Sequence, residues 1–233
     1  MNPTVLLVHG AMHTPWIFDP LRARLKARGI ATVAVQLPSS NPDSASTGGL
    51  ADDAATIRSA IEAIETPVVL AAHSYGGVPA TWAAAQAPVA QLLYLAAFAL
   101  PAGTSMLEWM GGQFPPDWTY SPDALAVRLT DPEQAIFSGV EPALTAEAVK
   151  RLNWQGLGAF TQKLPTATTD AEVTYLVATQ DPALPPEVQE RWAADAARIA
   201  RIPSGHSPHL SHPDQVADIL SDAVARAAET SPR

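Results

Sequence analysis

A serine hydroxyl attacks a carbonyl at neutral pH only when an imidazole can take its proton and a carboxylate can orient that imidazole. Three residues of this 233-residue chain have the types and settings for that work: Ser74, Asp181 and His206. Ser74 ends the apolar run Val68-Val69-Leu70-Ala71-Ala72-His73. Tyr75-Gly76-Gly77 and a small-residue, helix-like segment from Val78 to Ala87 follow it. A strand that turns sharply into a helix at a serine lifts the hydroxyl above the sheet edge. Small residues two positions either side, here Ala72 and Gly76, let the strand and helix nearly touch. Ser74 is the candidate nucleophile.

The acid and the base belong after later strands, in the order serine, acid, histidine. Asp181 follows the apolar run Val173 to Ala178 and is stiffened by Pro182-Ala183-Leu184-Pro185, whereas Asp170 and Glu172 precede that run at the wrong edge. No acid follows the preceding run, which closes on Phe98-Ala99-Leu100. His206 comes directly after Gly205 beyond the run Arg198 to Ile202, where a free loop can aim its ring at Ser74. His209, the alternative base, and His212 stand at the entry to the final helix. The first run ends in His9-Gly10-Ala11-Met12-His13. A glycine there brings the backbone close behind the nucleophile, so the amides of Ala11 and Tyr75 are the expected pair of donors to an oxyanion. His9 is expected to be structural, and His13 to stand at the pocket mouth. Taken singly, each feature has a plainer meaning: a tight turn, a surface Gly-His, an Asp-Pro turn. The case rests on their conjunction, three residue types each after a different strand in one required order.

The elements that must position them are legible as apolar runs at 4–8, 31–37, 68–72, 92–98 and 173–178, with a weaker one at 198–202. Near-continuous hydrophobic strands belong to a parallel sheet covered on both faces. Between them lie helical stripes: Phe18, Leu21 and Leu25 up to Gly29, then Leu50, Ala54, Ile57, Ile61 and Ile64. A third runs from Val216 to Ala227 behind Pro213. Strand–helix alternation predicts an α/β fold, a mostly parallel six-stranded sheet flanked by helices. From 100 to 170 no strand is evident, and prolines punctuate short helical pieces that hold seven of the 15 aromatic residues. So long a loop inside a compact domain points to an insertion. The expected organisation is a core of 1–99 and 171–233 with a helical cap at 100–170 over the ligand crevice. His13, Trp109, Trp118 and Trp154 are the candidate substrate contacts.

Composition narrows the function. A net charge of −9 leaves no basic footprint for nucleic acid. The absence of cysteine removes disulfides, thiolate chemistry and Cys-based metal sites. No apolar run approaches the roughly 20 residues that span a bilayer, and the chain enters its first strand without a leader pattern. The expectation is a cytoplasmic protein, with a small molecule rather than nucleic acid or membrane as partner. Arginine outnumbers lysine 11 to 3, which fits a GC-rich bacterial genome.

These residues resemble the α/β-hydrolase superfamily, and most of all its small serine hydrolases, the branch of plant methylesterases, hydroxynitrile lyases and bacterial carboxylesterases. The carrying segments are His9-Gly10-Ala11-Met12-His13, Ala72-His73-Ser74-Tyr75-Gly76-Gly77, Ala178-Thr179-Gln180-Asp181-Pro182-Ala183-Leu184-Pro185 and Gly205-His206-Ser207-Pro208. The resemblance implies a six-stranded sheet with a cap between its fourth and fifth strands, and catalysis with no cofactor and no metal. Hydroxynitrile lyases of the branch tend to carry threonine where Gly10 stands and lysine where Ser207 stands, so this sequence leans to ester hydrolysis. The expected activity is cleavage of apolar or aromatic carboxylic esters, extending to lactones, through an acyl-enzyme on Ser74. The alternatives are a non-hydrolytic reaction on the same residues (lyase, C–C cleavage or cofactor-free oxygenation) and a ligand-binding protein on this fold.

Overall fold

The computed structural model describes residues 2–230. In chain order, β1 (Thr4–Val8) is followed by α1 (Asp19–Ala27), β2 (Ala31–Val35), β3 (Ser40–Asn41) and α2 (Leu50–Glu62). Next come β4 (Val68–His73), α3 (Gly77–Ala84) and β5 (Gln91–Leu95). A long excursion then carries α4 (Met106–Trp109), β6 (Trp118–Tyr120), β7 (Ala126–Leu129), α5 (Pro132–Ala135), α6 (Pro142–Lys150), β8 (Trp154–Gly156) and α7 (Leu157–Thr161). The chain closes with β9 (Glu172–Ala178), α8 (Pro186–Ala193), β10 (Arg198–Ile202), α9 (Pro208–Ser211) and α10 (Pro213–Thr230).

Six strands form one sheet in the order β10-β9-β5-β4-β1-β2, and every pairing in it is parallel. Side chains alternate between its faces, and the two cores follow from that alternation. Val5 and Leu7 of β1 pack with Leu21 and Leu25 of α1 and Val216 and Leu220 of α10. Leu6 and Val8 face the other way, with Ile57 and Ile61 of α2, Val78 of α3 and Ala193 of α8. Both faces are therefore covered, which is why the central strands read as unbroken apolar runs.

Two strands end earlier than their hydrophobicity predicts. The run at 31–37 stops pairing at Val35, opposite the last residue of its one neighbour β1, and the Leu37 N–H turns instead to the His9 ring. The run at 92–98 shifts to Gln91–Leu95, since Ala96 takes a left-handed φ of 46° and turns the chain. Phe98 then returns its N–H to the Ser74 carbonyl at 3.0 Å, tying that turn to the nucleophile.

The segment 100–170 holds the short helices expected of it, but the expectation that it lacks strands is corrected. β6, β7 and β8 form a second, antiparallel sheet, and its fourth strand, β3, comes from the loop after β2, in the order β3-β8-β7-β6. Strands of two to four residues are too short to show a period-2 pattern in sequence. Among the described residues no helix is long and apolar enough to cross a membrane.

Candidate active site

Ser74 sits where β4 breaks into a tight 3-10 turn, Ser74–Gly76, that feeds α3. Its φ is 52°, a left-handed conformation that a serine adopts only under constraint. The crowding is severe. A Cβ on Gly76 would stand 2.5 Å from the His9 carbonyl oxygen, and one on Gly10 would stand 2.9 Å from the Ser74 Cβ. Tyr75 is the second residue of this turn, so its N–H belongs to the first-turn donors that have no helical partner.

His206 is brought to Ser74 by the loop after β10, and Asp181 by the loop after β9. His206 Nε2 lies 2.8 Å from Ser74 Oγ, and His206 Nδ1 lies 2.7 Å from Asp181 Oδ2. An ionised carboxylate only accepts, so Nδ1 carries the proton and Nε2 presents a lone pair to the serine hydroxyl. Asp181 is held in turn. Its Oδ1 accepts the amides of Ala183 at 2.8 Å and Leu184 at 2.9 Å, and its Oδ2 accepts Gln189 Nε2 at 2.9 Å. Gln189 is fully buried in α8, and its Oε1 accepts the Ala178 amide, so one side chain fastens the Asp181 loop to the end of β9. The sequence reading missed Gln189. A glutamine on the inward face of a helix that starts at the Asp181 loop was the available signal.

His209, the alternative base, is buried against Phe18 and His73, and neither of its ring nitrogens has a hydrogen-bond partner among the described residues. His9 lies beneath the site. The Leu37 amide donates to its Nε2 at 3.1 Å while its Nδ1–H donates to the Gly10 carbonyl at 2.8 Å, and burial lowers its pKa to about 4. His13 donates from Nδ1 to the Ala11 carbonyl at 2.8 Å, and burial takes its pKa to about 3, so its ring is neutral. His73 donates from Nε2 to the His206 carbonyl at 2.9 Å, which pins the main chain of the candidate base.

Ser74 and His206 open onto a cavity of about 330 Å³. Ala11, His13, Tyr75, Trp109 and Trp118 line it, joined by Phe160 and other mainly apolar side chains. Trp154 does not reach it. It alternates with Gln155 along β8, so when Gln155 points into the protein Trp154 points away, and Arg128 stacks on its ring at 4.4 Å. Among the described residues no cluster of three or more His, Asp or Glu side chains could hold a metal ion.

Residues 5–219 match the family model described as "Alpha/beta hydrolase family". The chain is 28% identical over 251 residues to the alpha/beta hydrolase nvfD of Aspergillus novofumigatus, covering 98% of this chain and 99% of that one. Among solved structures, it superposes on the methylesterase MES16 of Arabidopsis with a TM-score of 0.83 at 20% identity, covering 97% of this chain and 99% of that one. A pyrethroid hydrolase from Sphingobium faniae JZ-2 superposes with a TM-score of 0.82 at 20% identity, with the same coverage of 97% and 99%. At these identities the superpositions establish a shared fold.

Proposed function

The chain belongs to the alpha/beta hydrolase family, and we propose that it is a serine esterase that cleaves carboxylic esters of apolar or aromatic substrates through an acyl-enzyme on Ser74. The observation that carries this reading is the continuous hydrogen-bonded line Ser74–His206–Asp181 opening onto a mainly apolar cavity. Two proteins of the same fold, a methylesterase and a pyrethroid hydrolase, support ester-like substrates.

In this reading His206 Nε2 takes the Ser74 proton as Oγ attacks the ester carbonyl. Asp181 keeps the other nitrogen protonated and stabilises the imidazolium. The amides of Ala11 and Tyr75 receive the oxyanion, each worth about 3 kcal/mol of barrier. His206 then protonates the leaving alcohol, and a water deprotonated by the same ring releases the acid. No cofactor enters. Of the aromatic candidates, Trp109 and Trp118 would contact the apolar part of the substrate.

The test is hydrolysis of p-nitrophenyl acetate, butyrate and octanoate by the wild type and by Ser74→Ala and His206→Ala. A pre-steady-state burst of one nitrophenolate per chain, lost in both variants, is the expected result. Folded wild type without turnover would sink the reading in favour of a non-hydrolytic or ligand-binding role.

A further inference from the structure

Asp53 is a fully buried carboxylate on α2 that takes no part in the Ser74–His206–Asp181 line. Its Oδ1 accepts the Ser39 amide at 2.9 Å. Its Oδ2 accepts two hydroxyls, Ser39 Oγ at 2.5 Å and Tyr75 at 2.7 Å. Ser39 Oγ also accepts Gln155 Nε2 at 2.6 Å, and Gln155 Oε1 accepts the Met12 amide at 2.7 Å. The donors run in one direction along this chain, from Gln155 through Ser39 to Asp53, and Ser39 and Gln155 are as completely buried as Asp53.

The two ends of the chain matter. One end is the side chain of Tyr75, and the other is the peptide that follows Ala11. These are the two residues whose amides would receive the oxyanion. Met12 has a left-handed φ of 67°, and the peptides on its two sides are each held: Gln155 holds its N–H, and the Asn153 amide donates to its carbonyl at 2.7 Å. Both grips come from the 100–170 segment. Burial pushes the Asp53 carboxyl up to about 6, against the Ser39 and Tyr75 hydrogen bonds that hold it down.

We propose that Asp53, Ser39 and Gln155 are positioning residues that hold the Ala11 and Tyr75 amides in register as one oxyanion site, and that Gln155 makes this site depend on the inserted segment. The inference rests on the serine-esterase reading above. Such a network acts as a unit, so its parts are not independent.

The experiment compares wild type, Gln155→Met, Tyr75→Phe and the double variant. It measures p-nitrophenyl butyrate kinetics, inhibition by an aliphatic trifluoromethyl ketone, whose serine adduct places an oxyanion between the two amides, and thermal melting. Each single variant is expected to lower kcat by about 10- to 100-fold, with KM within about twofold, and to weaken the ketone by a similar factor. The double variant should lose little more than the worse single one. If Gln155→Met does not fold, Tyr75→Phe, which removes only a hydroxyl, carries the kinetic test. Unchanged kcat in the folded variants, a loss confined to KM, or losses that multiply in the double variant would overturn the network while ester turnover by the wild type stands. Wild type without ester turnover overturns the esterase reading, and this inference with it.

Discussion

Gly205 lies flat against the main chain of Ser138, so that a Cβ on Gly205 would overlap both the carbonyl oxygen and the hydroxyl of Ser138. On the far side of His206, Ser207 Oγ donates to the Ile136 carbonyl at 2.8 Å. The loop that carries the candidate base is thus braced on both flanks by the turn after α5. Gly205→Ala should displace the imidazole and cut kcat about 100-fold, as small misplacements of a catalytic group do. Steady-state kinetics beside a melting curve checks this, and a folded variant at wild-type kcat refutes it.

Asp181→Asn should reduce kcat by about 1,000- to 10,000-fold, because the amide stabilises the wrong tautomer of His206. Gln189→Leu leaves the carboxylate in place and removes one of the side-chain bonds that aim it, so a loss of about 10-fold is expected. The order of the two effects is the test. A larger loss in Gln189→Leu than in Asp181→Asn would contradict the geometry.

The fold should weaken in mild acid. Burial lowers the pKa of His9 to about 4 and of His13 to about 3, and puts His73 and His209 well below the usual histidine range. Below pH 6.5 the unfolded chain binds protons at these positions and the folded chain does not. Stability therefore falls as pH drops from 6.5 toward the folded values, by about 1.4 kcal/mol per pH unit for each ring. Asp53 has the opposite sign: its folded pKa is raised, so acidification between about 6 and 4 favours the folded state and offsets part of the loss. A net loss of roughly 4 kcal/mol between pH 7 and 5.5 would lower the melting temperature by about 8–16 °C. His209→Phe, which removes a ring with no hydrogen-bond partner among the described residues, should make that slope shallower. A slope unchanged by it refutes the assignment.

Trp118 packs on Phe114 and Phe160 at ring distances of 5.5 and 5.3 Å and forms part of the cavity wall. Trp118→Ala should lengthen the cavity and move the optimum of the p-nitrophenyl series toward longer acyl chains, with kcat on acetate changed by less than about threefold. An unmoved optimum would place the acyl group elsewhere in the cavity.

The residues of the Ser74–His206–Asp181 line were legible in the sequence because each follows a strand whose apolar run survives without its neighbours. The parts that failed to show are those made by contact across the chain. Gln155 and Met12 are 143 residues apart, and nothing in either segment announces the other. β3 and β8 are two and three residues long and become strands only through partners distant in sequence or across a turn, β3 on β8 and β8 also on β7. Asp53 did leave a mark. It stands three residues after Leu50 and four before Ile57, on the buried stripe of α2, where a carboxylate needs partners. Trp154 was misplaced because an aromatic residue in an insertion says nothing of which face of its strand it occupies.

The pairing of β3 with β8 has a consequence for anyone recombining this protein. Exchanging residues 100–170 for the matching piece of a relative, as though it were an independent module, would remove Gln155 and Asn153 while leaving Ser39, Ser40 and Met12 behind. Such a chimera would keep its Ser74, His206 and Asp181 and still work badly. A graft that also carried the 38–41 loop and the residue at position 12 would bring the seam along with the patch.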